Sequence, residues 1–156
     1  QAVSYYREYY EEKEMFENEV YPGIKQLLRD LIKQGVLCLV ATSKPEIYAK
    51  KILDYYELSN YFYYIAGANM DGTRTDKAEV IAYALKQIPA EYSNKKVLMV
   101  GDRSHDIIGA KKNGIDCAGV LFGYGSREEL EEAGADFIAD SVEAVRNIIL
   151  LDTAMN

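Results

Sequence analysis

Lys95-Lys96-Val97-Leu98-Met99-Val100-Gly101-Asp102-Arg103-Ser104-His105-Asp106 is the stretch on which the reading of this chain turns. Val97 to Val100 is a continuous apolar run, too short for a helix and bounded by charge and by Gly101, so it reads as a buried strand. Ile107, Ile108 and Ala110 open an apolar helical face directly afterwards. Asp102 then falls at the carboxyl end of a strand and Asp106 at or near the start of the next helix. In open α/β sheets, that edge is where ligands bind. Two carboxylates so close repel unless a positive charge separates them, and a hard cation with oxygen ligands is the usual partner. Two aspartates that merely cap backbone donors would look the same. Alone, the spacing decides little.

Working outward, strands and helices alternate. Val36 to Ala41, Tyr61 to Ala66, Val97 to Gly101 and Asp116 to Phe122 read as strands, with a short one at Phe137 to Ala139. Between them run helical patterns. Ile24, Leu27, Leu28, Leu31 and Ile32 keep the helical period, and Gly35 suits the end of that helix. Further helices are expected from Pro45 to Tyr56, from Asp76 to Pro89, from about Asp106 to Asn113-Gly114, after Ser126, and over Val142 to Ile149. Ser43 with Glu46, Asp76 with Glu79, and Ser126 with Glu129 have the spacing of capping boxes. Such alternation predicts a mainly parallel sheet covered by helices on both faces, a three-layer αβα fold. Upstream, Ser4 to Glu19 is Tyr-rich, with Tyr5 and Tyr9, and Tyr6 and Tyr10, sharing a helical face as a packing surface. Pro22-Gly23 marks a junction. The expected organisation is therefore a leading segment 1–21, a core 22–151 and a tail 152–156.

A chain of 156 residues, 49% hydrophobic and 28% charged, has the size and composition of one soluble domain. Its net charge of −7 argues against a nucleic acid polymer or an anionic membrane as partner. No apolar run is long enough to span a bilayer. Cys38 and Cys117 lie in apolar strand-like runs and read as buried free thiols in a reducing cytoplasm. An anionic ligand would need local positive groups, because the overall field does not attract it.

Those groups stand at strand ends. Thr42-Ser43 follows the first strand, where hydroxyls and free helix amides form a ready anion site. A plain helix cap at Ser43 is the simpler reading of that stretch taken alone. Lys77 falls in the first turn of a helix, where the dipole disfavours a cation unless an anion faces it. With Asp102 and Asp106, three successive βα units would offer a hydroxyl, a cation and two carboxylates to a phosphate and a divalent metal.

Val40-Ala41-Thr42-Ser43-Lys44, then Lys77, then Val100-Gly101-Asp102-Arg103-Ser104-His105-Asp106 resembles the second, third and fourth motifs of the haloacid dehalogenase superfamily of phosphohydrolases. The likeness covers Pro22 to about Leu150. It is nearest the phosphoglycolate phosphatase and 5'-nucleotidase-like branch, whose loops are matched by Asp71-Gly72-Thr73-Arg74 and Gly123-Tyr124-Gly125-Ser126. The resemblance implies a Rossmann-like core preceded by the tail of a helical cap, Mg²⁺ as cofactor, and a small phosphorylated metabolite as substrate. It implies that Thr42 and Ser43 hold the phosphoryl group and that Lys77 neutralises it. Arg74 would face substrate or cap, Asp102 would bind the metal, and Asp106 would support it.

One motif is missing. The family's first motif, DxDGT, supplies the aspartate nucleophile on a central strand between those at Val36 to Ala41 and Val97 to Gly101. Asn69-Met70-Asp71-Gly72-Thr73 mimics it, with an amide that cannot form a phosphoaspartate. The expectation is a piece of a longer phosphatase, beginning at Gln1 inside a cap helix and inactive by itself, with a gap between two central strands. The competing reading is a non-catalytic phosphate-binding or interaction relic of the same fold, and a receiver-type signalling domain is a weaker third. His105 is expected at the surface or in support of the site rather than as a base. Arg103 is given no catalytic part, Gly123 and Gly125 a turn, and Glu128, Glu129, Glu131 and Glu132 a solvated helix face.

Overall fold

Strand β4 (Leu98–Gly101) is buried along its whole length, as its uninterrupted apolar run demands. A strand covered on both faces must satisfy its backbone through neighbours on both edges. In the computed structural model, which describes residues 2–3 and 20–154, β4 pairs in parallel on one side with β5 (Asp116–Val120), Leu98 opposite Asp116 and Gly101 opposite Gly119. Beyond β5 lies β6 (Phe137–Ala139), also parallel. On its other side β4 pairs with β1 (Ala2–Val3), Ala2 opposite Met99 and Val3 opposite Val100. A second parallel pair, β2 (Leu39–Pro45) and β3 (Tyr64–Ala68), packs against β1 through β2 without joining its ladder.

All pairings being parallel, the connections must cross over, and helices supply them. They are α1 (Ile24–Lys33), α2 (Glu46–Tyr55), α3 (Lys77–Lys86), α4 (Ser104–Lys112), α5 (Arg127–Ala133) and α6 (Val142–Ala154). The strands' period of two sorts their side chains between two cores. Val40, Leu98, Val100, Ala118 and Val120 point towards Leu28, Leu31, Leu53, Val145 and Ile149 of α1, α2 and α6. Leu39, Ala41, Met99 and Cys117 point the other way, towards Val80, Ile81, Ile107, Ala110 and Leu130 of α3, α4 and α5. The three layers follow from that sorting, and the expected α/β class is the observed one. Among the described residues no helix is long and apolar enough to cross a membrane.

Several boundaries moved, each for a local reason. β2 runs on to Pro45, which stands opposite Ala68 after a shift in register, with Lys44 before the proline held extended, so Ser43 sits in the strand. Pro45 caps α2 with no side-chain hydrogen bond, and the expected Ser43–Glu46 box does not form. Glu46 instead accepts the Gly67 amide at 3.3 Å. Asp76 caps α3 without a side-chain bond as well. Gly35 behaves as expected: with φ at 77° it lets its own N–H and that of Val36 close on the carbonyls of Ile32 and Leu31. The Tyr-rich stretch lies outside the described residues. Ala2 and Val3, within the segment read as a cap remnant, stand beside β4 in the slot expected to be vacant.

β3 approaches the β2–α2 corner so closely that a Cβ on Gly67 would stand 2.6 Å from the Glu46 Cα and 2.7 Å from the Lys44 carbonyl oxygen. Gly67→Ala is therefore expected to destabilise the chain by about 2–3 kcal/mol, as overpacking against rigid backbone does. Gly35→Ala, with open space around it but a left-handed backbone, should lose only about 1 kcal/mol. Urea unfolding of the two variants side by side checks the order.

Candidate active site

Asp106 is the hub of the β4–α4 turn. Its Oδ2 accepts the backbone N–H of Asp102 at 3.0 Å and of Arg103 at 3.2 Å. Amides at a helix start have no partner within the helix, and a carboxylate in the first turn suits both their dipoles and the helix field. The carboxylate can fold back this far only because residue 101 is glycine: a Cβ there would meet the Asp106 Cβ at 2.3 Å. Four-residue spacing thus has a geometric meaning, placing the second aspartate beneath the backbone of the first.

Lys77 reaches the same carboxylate from α3. Its Nζ lies 2.7 Å from Asp106 Oδ1, with both side chains almost wholly buried, and it donates to the Ala41 carbonyl oxygen at 3.3 Å. Gly109 permits this approach, since a Cβ there would crowd the Ala78 amide and the Lys77 Cγ. Asn113 secures it by donating to the carbonyls of both Gly109 and Ala78. Thr42, next to Ala41, is buried, and its Oγ1 accepts the Lys44 amide at 3.2 Å. Lys44 is buried too, a cation beside Thr42 that the sequence reading passed over.

Asp102 is wrapped by the chain that leaves β5. Tyr124 donates its N–H to Asp102 Oδ2 at 3.0 Å, and Gly125 donates to the Asp102 carbonyl at 2.8 Å. A Cβ on Gly123 would stand 2.3 Å from that of Asp102, and one on Gly125 2.2 Å from its carbonyl oxygen. These glycines are close-contact positions of the site and more than turn residues. Burial pushes the Asp102 carboxyl above the usual carboxylate range; the Tyr124 N–H opposes this, the Asp106 charge adds to it and Lys77 offsets part. The ends of β2, β4 and β5 and the start of α3 thus share one rim.

The sequence profile of the haloacid dehalogenase-like hydrolases matches residues 1–120. The chain belongs to that family. Over 151 residues it is 38% identical to a 5'-nucleotidase of Pseudomonas aeruginosa, covering 96% of this chain and 66% of that protein. It is 36% identical over 151 residues to the tyrosine-protein kinase PtkA of Mycobacterium tuberculosis, covering 96% of this chain and 51% of the kinase. A phosphoglycolate phosphatase of Pseudomonas fluorescens is 32% identical over 139 residues, covering 86% and 48%. A solved structure of a phosphatase candidate from Clostridium difficile superposes with a TM-score of 0.81 at 50% identity, over 88% of this chain and 63% of that one. The chain therefore spans about half to two thirds of the length of these relatives.

Other residues singled out from the sequence stand apart from this haloacid dehalogenase-like rim or join it differently. Arg74, at φ 54°, stacks its guanidinium 3.7 Å from the centre of the Tyr83 ring, donates to the Gly67 carbonyl at 2.9 Å and lies 3.7 Å from Glu46 Oε1. Those contacts hold it to β3, α2 and α3. Asn69 to Thr73 closes on itself: Asn69 Nδ2 donates to Thr73 Oγ1, and Asp71 accepts the Thr73 amide and hydroxyl. His105 is exposed, 3.9 Å from Asp106 Oδ1. Arg103 ion-pairs with Glu129 at 3.0 Å.

For a divalent cation the donors fit in kind. Asp102 offers buried hard oxygens, and among the described residues no ion pair forms on it. Asp106 fits only as support, because Lys77 and two amides already occupy its oxygens. Among the described residues no cluster of three metal-ligating side chains occurs, so further ligands would have to come from elsewhere.

Two outcomes are expected. Lys77→Met leaves Asp106 buried and unpaired and should destabilise the fold by about 3–5 kcal/mol. The double variant Lys77→Met with Asp106→Leu should lose far less than the sum of the single changes, as urea unfolding would show. Asp102 is the opposite case. Its raised folded pKa means that the charged form is penalised by folding, fully so above that pKa and not at all below the unfolded value. Asp102→Asn is expected to raise the melting temperature at pH 7 in EDTA, with the gain shrinking as pH falls through the raised pKa.

Proposed function

We propose that the whole protein is a Mg²⁺-dependent phosphatase of a small phosphomonoester, phosphoglycolate or a nucleoside 5'-monophosphate, acting through an aspartyl-phosphate. The observation that carries this is the convergence of Thr42, Lys77, Asp102 and Asp106 at one rim, in the order and on the elements that the family's motifs require. Thr42 offers its hydroxyl to the transferring phosphoryl group, with Ser43 beside it. Lys77, held by Asp106, presents fixed positive charge to the equatorial oxygens, where charge gathers in the transition state. Asp102 would hold the cation, which supplies charge neutralisation at the phosphoryl oxygens. Arg74 is proposed to act on substrate or cap by fixing the Asp71–Arg74 loop from β3.

The nucleophile is not among these groups. The sequence contains no DxDGT, and Asn69 stands where its closest mimic would need a carboxylate. We therefore propose that residues 22–151 form a core completed by a first-motif strand in the slot beside β4 that Ala2 and Val3 take here, that the remainder of 1–21 belongs to a cap, and that the chain by itself does not turn over. A reducing, cytoplasmic setting agrees with Cys38 and Cys117 both being free and buried, the Cys38 thiol pushed up to about 11 by burial.

The test is a phosphomonoester panel on the full-length protein with Mg²⁺ or EDTA. Hydrolysis dependent on Mg²⁺ is expected, with Lys77→Ala reducing kcat by about 10²–10³-fold and Asp102→Ala removing the response to metal. Activity that ignores EDTA would overturn the reading. Binding of phosphate without turnover would favour a non-catalytic relic, and transfer to a protein tyrosine in place of water would align the protein with PtkA.

A further inference from the structure

Glu129 belongs to none of the family's motifs, and its sequence neighbours Glu128, Glu131 and Glu132 suggest a solvated face. The structure separates it from them. Ser126 Oγ accepts the Glu129 N–H at 3.0 Å, which starts α5 and sets the side chain's direction. The carboxylate then crosses to the neighbouring helix: Oε2 accepts the Ser104 N–H at 2.8 Å and Arg103 Nε at 3.0 Å. The Glu131 side chain is 57% exposed, against 28% for Glu129.

The consequence lies in what this bond closes. Residues 103 and 104 follow Asp102 directly, and Ser104 is the first residue of α4, whose amide has no partner within the helix. The same segment that delivers Glu129 also gives Tyr124 N–H to the Asp102 carboxylate and Gly125 N–H to the Asp102 carbonyl. Asp102 is thus held in front by residues 123–125 and behind by Glu129. Without Glu129, the Ser104 amide and the Arg103 side chain lose their anchor on α5, and on that side only Asp106 still holds the turn, from within it.

We propose that Glu129 is a positioning residue of the metal site, acting through Ser104 and Arg103 to aim the Asp102 carboxylate. The proposal rests on the reading of Asp102 as the metal ligand. Outer partners that orient a ligand usually change metal affinity by 10–100-fold when removed.

The experiment uses the full-length protein and reads Mg²⁺ affinity by calorimetry, with kcat at saturating Mg²⁺ and the melting temperature alongside. Glu129→Ala is expected to weaken Mg²⁺ binding by about tenfold or more, with kcat at saturating metal within about threefold of the parent. Glu129→Gln keeps an acceptor for the Ser104 amide but loses the charge facing Arg103, and should fall between the two. Glu131→Gln should match the parent. Lower melting temperatures with unchanged Mg²⁺ affinity in both Glu129 variants would reduce Glu129 to a structural tie and overturn the proposal. A parent protein that binds no Mg²⁺ would overturn the metal reading itself, a result recognisable before any variant is made.

Discussion

The buried pair between Lys77 and Asp106 is the constraint to which the rim owes its shape. Removing two charges from water carries a penalty of several kcal/mol per ion, so such a pair persists only where further polar partners surround it. Here Asp106 takes two backbone amides besides Lys77, and Lys77 takes the Ala41 carbonyl. Those partners come from three different βα units. Satisfying one ion pair therefore fixes the end of β2, the start of α3 and the turn after β4 relative to one another. Gly101 and Gly109 are small because the pair could not close otherwise.

How much of this was legible depended on the range of the interaction. Continuous apolar runs announced β4 and β5, since a strand buried on two faces leaves no alternative composition. Helix ends at Gly35 and Gly114 were legible because a left-handed backbone selects glycine within a few residues. The capping boxes at Ser43 and Asp76 failed because side-chain spacing says nothing of what else competes for the backbone: Pro45 kept its predecessor extended, and Glu46 was drawn to Gly67 across the corner. Glu129 and Ser104 lie 25 residues apart, and only the packing of α5 against α4 makes them neighbours. Gly123 and Gly125 carried a faint signal as a Gly-X-Gly pair at a strand end, but what requires them is the body of Asp102, which no local pattern reveals.

The slot between β2 and β4 obeys the same accounting from the backbone side. A central parallel strand leaves no edge group without a partner, and β4 finds one in Ala2 and Val3. Only two residues serve there, and β2 with β3 remains a separate ladder beside them. The family likeness assigned a central strand to that slot, and Ala2 and Val3 meet part of what the β4 backbone requires there.

Charge supplies the last link between fold and chemistry. Lys77 makes its direct pair with Asp106, so the two acids are not equals: one is neutralised by contact and the other only at a distance. Asp102 is the one left over, buried, with its carboxyl pushed up and its backbone gripped on both sides. A group held that rigidly in a state that burial disfavours gains most from whatever brings positive charge to it. A phosphate dianion would add to the negative charge around it. The unequal pairing of two neighbouring aspartates with Lys77 thus makes Asp102, and not Asp106, the carboxylate with more to gain from further positive charge.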